Sequence, residues 1–98
     1  MDDKSDRLIG VDIGKRFLDV AREGVRAIRR HSHDAVEIAR LVDELEPEHD
    51  IVIFERSGGY ERRLEGQLAA ARIRCAAAAI AVALTDEHAA ARSSAIDA

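Results

Sequence analysis

The sequence predicts an α/β domain in which a mixed sheet carries a three-stranded antiparallel meander on one side and crossover helices on the other. Three observations predict it. The first thirty residues hold three strand-like segments separated by turns at Gly14 and Gly24. From Asp34 the apolar spacing changes to three and four residues. A continuous apolar run, Ile51 to Phe54, then restores strand character ahead of a Gly-Gly pair. The resulting order is strand, strand, strand, helix, strand, helix, strand, helix, and connections of that kind build a layered sheet.

Each element has a local reason. After a polar leader over residues 1–7, "LIGVDIG" from Leu8 to Gly14 is rich in β-branched and aliphatic residues and ends at glycine and the charged pair Lys15-Arg16. "FLDVARE", Phe17 to Glu23, returns through a tight turn. "VRAIRR", Val25 to Arg30, alternates apolar with basic positions, as a strand with one wet face does. Ala35, Ile38, Leu41, Val42 and Leu45 then fall on one side of a helix. Asp34 and Glu37 have the spacing of an N-cap and its reciprocal acceptor, and Pro47 marks the end. "DIVIFE" has the continuous apolar character of a strand covered on both faces. Tyr60, Leu64, Leu68 and Ala71 predict a second helix, "IRCAAAAI" a further strand, and Thr85 with Asp86 and Glu87 the start of a last helix.

Composition narrows the function. Ninety-eight residues hold one small core, so a two-lobed enzyme is excluded unless a partner supplies the other lobe. With 15 basic against 19 acidic side chains the formal charge is -4, which argues against strong non-specific nucleic-acid binding by this chain alone. A basic partner or a divalent cation has to supply what is missing. The longest uncharged run, Cys75 to Leu84, is about half the roughly 20 residues that a spanning helix needs, so no membrane partner is expected. A single cysteine forms no internal disulfide, and no charged-then-apolar leader opens the chain; both point to the cytoplasm.

The chemistry is concentrated in carboxylates. Asp12 stands in the middle of the most apolar strand, although aspartate is a poor strand former and costs several kcal/mol to bury unpaired. Glu55 repeats the situation at the end of the next apolar strand. Two readings are open for each: Asp12 caps the turn at Gly14 or faces a cation, and Glu55 is a surface charge at a helix entrance or a ligand. Crossover topology lays the two strands side by side and lets the carboxylates converge, and oxygen ligands of that kind suit magnesium. A pair of ions can clamp both oxygens of a phosphodiester displacement, but such a pair needs at least three carboxylates. Asp97 is available as a third. If the last segment is helical, position 94 shares its face, and position 94 is serine.

Other residues invite simpler readings. His31 and His33 alternate but lack a third metal-binding neighbour, which favours a solvated loop; His49 and His88 are isolated. Cys75 among alanines reads as a small buried apolar residue, and Tyr60, spaced with Leu64, as helix packing. Lys15, Arg16, Arg62 and Arg63 follow the two acidic strand ends and are either phosphate contacts or ordinary surface charge. The Gly58-Gly59 pair turns the chain from strand to helix and lets backbone N–H groups approach an anion.

Taken together, "IGVDIGKRFLDVA", "VIFERSGGYERRL" and the terminal "AIDA" resemble the N-terminal domain of the DEDD-type bacterial insertion-sequence transposases, a family that includes the Piv site-specific DNA invertases. The resemblance runs from Leu8 to Ala98. It implies an RNase H-like, RuvC-like fold over residues 8–98, with Asp12, Glu55 and Asp97 as catalytic and metal-binding acids. Its third acid falls on Ser94, in Arg92-Ser93-Ser94 where the family has a Lys-Thr-Asp run, so magnesium is expected to bind weakly or not at all. Ala78-Ala79 stand where the family has an Asn-Pro pair. The implied function is DNA transposition or site-specific recombination, with DNA and a homo-oligomer as partners. Full-length relatives add a C-terminal domain with a nucleophilic serine, and some use a structured RNA. The chain is therefore expected to be a truncated, inactive fragment. Two alternatives remain. "GVDIG" also resembles the phosphate-loop strand of the actin and sugar-kinase folds, which would make the chain a nucleotide-binding module. The missing acid and the acidic net charge fit a non-catalytic interaction fragment.

Overall fold

A computed structural model of the chain describes residues 6–56 and 58–78. Among them are five strands and two helices: β1 (Arg7–Ile13), β2 (Phe17–Arg22), β3 (Arg29–Ser32), α1 (Ala35–Asp43), β4 (Asp50–Phe54), α2 (Arg62–Ala70) and β5 (Arg74–Ala77). The strands form one mixed sheet in the order β3-β2-β1-β4-β5. β2 pairs antiparallel with both β1 and β3, whereas β4 pairs parallel with both β1 and β5. The α/β class, the meander and the parallel extension agree with the sequence pattern. The helix expected from Thr85, the strand residues beyond Ala78, Ser94 and Asp97 lie outside the described residues. No helix among those described is long and apolar enough to cross a membrane.

Strand alternation sorts the side chains onto two faces. Ile9, Val11, Ile13, Leu18, Val20, Val52 and Phe54 face one way and pack with Ile38, Leu41 and Val42 of α1 and with Leu64 and Leu68 of α2. On the opposite face Leu8, Ile51 and Ile53 form a second buried cluster against Ala76 and Ala78. Burial of each such aliphatic side chain stabilises the fold by about 1.5–3 kcal/mol before the entropy of ordering it is counted.

The β1–β2 hairpin closes through the Gly14 N–H, which donates to the Phe17 carbonyl at 2.9 Å. A Cβ at Gly14 would stand 3.3 Å from that oxygen, tight enough that the turn favours glycine. α1 starts as its sequence predicts, with the Asp34 carboxylate accepting the Glu37 N–H at 2.9 Å. The reciprocal half of the box is absent, because the Glu37 carboxylate accepts from Arg40 at 3.0 Å and lies 3.5 Å from the His31 ring. Ala35, expected on the inner face of the helix, is exposed.

Two boundaries differ from the sequence expectation. The third strand is Arg29–Ser32 and not Val25–Arg30. Gly24, at φ 84°, turns the chain out of β2, and the Val25 N–H closes that turn on the Arg22 carbonyl. Residues 25–28 become a connection, with Val25 and Ile28 52% and 66% exposed. The ladder instead pairs Leu18 with His31, which carries His31 onto the helical face. The polar leader also ends earlier, since Arg7 already belongs to β1 and clamps the buried Asp50 with bonds of 2.7 and 3.0 Å.

Candidate functional site

On the face opposite the helices, apolar side chains give way to acids toward the C-terminal ends of the central strands. Leu8, Gly10 and Asp12 follow one another along β1; Ile51, Ile53 and Glu55 do so along β4. The parallel ladder pairs Gly10 with Ile53 and Val11 with Phe54. One step further, Asp12 comes level with Glu55. Both side chains are exposed and both line a cavity of about 370 Å³, together with Gly10, Asp19, Ala21 and Ile28. Asp12 is spared the cost of burial because it sits where the sheet face opens to water.

Asp19 is the acid that sequence reasoning missed. The antiparallel ladder makes it the direct partner of Asp12. Like charges placed opposite one another across a ladder repel. Arg30 relieves this with a two-pronged grip on Asp19, Nε to Oδ1 at 2.8 Å and Nη2 to Oδ2 at 3.0 Å. Those hydrogen bonds, reinforced by the Arg30 charge, outweigh a small opposing effect of desolvation and hold the Asp19 carboxyl below the usual carboxylate range. The same guanidinium lies 4.7 Å over the Phe17 ring, a cation–π contact that fixes its position.

Among the described residues, no three His, Cys, Asp or Glu side chains stand close enough to ligate one ion. Asp12 and Glu55 are brought together, and Asp97 and Ser94 lie outside the described residues. No protein-family model matches the chain, and no curated protein matches it. Two exposed carboxylates on one open cavity nonetheless suit magnesium, which takes one or two carboxylates and keeps much of its water shell.

Three other residues depart from their sequence readings. His31 is buried beside Glu37, not in a solvated loop. Tyr60 precedes α2 in the turn and is 45% exposed, so it does not pack the helix against the sheet. Asp50 is fully buried. Desolvation pushes its carboxyl up, but the Arg7 hydrogen bonds, the Glu46 N–H at 2.8 Å and the nearby positive charges outweigh it and leave the acid below its ordinary value. Cys75 conforms more closely: it is half-buried against the helix-side core, and burial, with Glu65, raises its thiol pKa and disfavours the nucleophilic thiolate.

Proposed function

We propose that the chain is the RuvC-like, RNase H-fold N-terminal domain of a DEDD-type transposase, acting on DNA through a magnesium site built on Asp12 and Glu55. The carrying observation is the parallel register between β1 and β4, which sets these two acids side by side at the open end of the sheet. The strand order, three antiparallel strands followed by two parallel ones, supports the same reading. So does the run of sequence from the Asp12 strand to the Glu55-x-x-Gly-Gly-Tyr-Glu segment.

In this reading Asp12 and Glu55 provide the oxygen donors, Asp97 adds a third, and Ser94 contributes at most a neutral hydroxyl. When bound, the metal neutralises developing charge on a phosphodiester and activates an oxygen nucleophile. Gly10 leaves the cavity floor without a side chain. Arg30 keeps Asp19 engaged, so that acid guards the rim and does not compete for the ion. With one ligand charge fewer than the family pattern, the site is weak.

Calorimetric titration of magnesium tests the reading. Weak binding is expected in the parent chain, none in Asp12→Asn or Glu55→Gln, and tighter binding in Ser94→Asp. Binding unaffected by Asp12→Asn, or no binding in either the parent or Ser94→Asp, would remove the site.

A further inference from the structure

We propose that a second cavity, lined by Lys15, His33, Tyr60, Arg62 and Arg63, seats a backbone phosphate of a single-stranded nucleic acid, with Tyr60 offered to an adjacent base. The cavity is about 420 Å³ and has Gly59 as its remaining wall. Three separate segments build it: the β1–β2 turn brings Lys15, the residue following β3 brings His33, and the turn into α2 brings the rest. The His33 N–H donates to the Arg16 carbonyl at 2.8 Å, and the ring Nδ1 lies 2.7 Å from the Gly14 carbonyl. A carbonyl only accepts, so Nδ1 carries a proton and Nε2 is the ring atom left for a ligand. Tyr60 stands edge-on to this ring at 6.4 Å.

Charge is the deciding feature. The chain is acidic overall, and Arg7, Arg30 and Arg56 each face a carboxylate. Among the described residues, no carboxylate is paired with Lys15, Arg62 or Arg63, and none lines the cavity. The glutamate inside "YERR" is turned inward: Glu61 is buried and accepts from the Gly59 N–H at 3.2 Å and from Arg56 at 3.5 Å. Three cations are thereby left on one concave surface beside the positive end of the nine-residue α2, whose first turn has no side-chain cap. Such a surface attracts a phosphate, and a basic groove with an exposed aromatic suits an unpaired strand.

The position relates this cavity to the acids. Lys15 follows Asp12 by three residues, a reach of at most about 10 Å, or about three stacked nucleotides. A strand lying across Asp12 and Glu55 therefore reaches the basic cavity with a neighbouring phosphate. That the two sites share one strand rests on the function proposed above; the anion site itself stands on its own residues.

The test uses the full chain, isotopically labelled, in metal-free buffer with a chelator. Inorganic phosphate and a short single-stranded oligodeoxynucleotide are titrated separately while the amide signals of Gly59, Tyr60 and His33 are followed. Both ligands should shift these signals. Lys15→Gln combined with Arg63→Gln should weaken oligonucleotide binding about tenfold or more. The same pair should lower the log–log salt slope from about 2 to about 0.7. Asp12→Asn with Glu55→Gln should leave binding unchanged, so loss of the metal reading and loss of this one are separable. No shift with either ligand, or shifts that survive the double glutamine variant, would overturn the proposal. Phosphate binding without oligonucleotide binding would overturn its nucleic-acid assignment.

Discussion

Asp12 on β1 and Asp19 on β2 are direct cross-strand partners that open onto the same cavity, and Arg30 neutralises only Asp19. Arg30 therefore sets how much negative charge the cavity presents. Removing one positive charge about 6 Å from a divalent ion is worth up to about 1.4 kcal/mol in water. Arg30→Ala should accordingly raise magnesium affinity by up to about tenfold, and Asp19→Asn in that background should cancel the gain. Calorimetry on the two variants reads this directly; unchanged affinity in Arg30→Ala would show that Asp19 does not act on the site.

Asp50 and Arg7 make a pair of another kind. Asp50 is fully buried, and Arg7 retains partial exposure. Removing one partner of a buried pair costs about 3 kcal/mol, so Asp50→Asn should lower stability by about that much near neutral pH. The sign with pH follows from the depressed folded pKa of Asp50. Its contribution is complete above the unfolded value of about 3.9 and is lost as pH falls through the folded value. Urea denaturation should show the parent and variant converging as pH drops below about 4, and a constant gap would contradict this.

The element order was legible because hydrophobic period and turn glycines are local signals, and they located β1, β2, α1, β4 and α2. Asp12 stood out for the same reason, as a charge inside an apolar strand. Asp19 did not, because between Leu18 and Val20 it looks like any wet-face residue, and only the hairpin register sets it against Asp12. The third strand was misplaced because alternation reports which positions are apolar but not which partner they pair with. Val25–Ile28 has a strand-like pattern, yet the ladder forms where Leu18 meets His31. His31 and Tyr60 were misread because their surroundings come from distant segments, α1 for one and the Gly14 turn with His33 for the other.

The Asp34 cap can be measured separately from the rest of α1. Its side chain makes one bond to the Glu37 N–H and is otherwise exposed, so Asp34→Ala removes that bond and little packing. A loss of about 1 kcal/mol is expected, and Asp34→Ser should recover most of it because serine caps equally well. Chemical denaturation distinguishes the two; equal losses in both variants would show that the carboxylate charge, not the cap bond, is what matters.

Two glycines near α2 should respond in opposite directions to the same substitution. Gly66 lies within the helix, is exposed, and has nothing within 4 Å of where a Cβ would stand. Alanine there lowers the entropy of the unfolded chain without strain, so Gly66→Ala should stabilise by about 0.8–1 kcal/mol. Gly59 also has open space, its nearest neighbour being Arg62 Nε at 3.9 Å, but its φ is 106°. That conformation is costly for any residue with a Cβ, and Gly59→Ala should destabilise by at least about 1–2 kcal/mol. In a domain of this size each kcal/mol shifts the melting temperature by about 4–8 °C, so the two variants should bracket the parent in a thermal melt. A Gly59→Ala chain that melts with the parent would mean that the turn into α2 has relaxed to another conformation, and with it the placing of Tyr60 and Arg62 around the basic cavity.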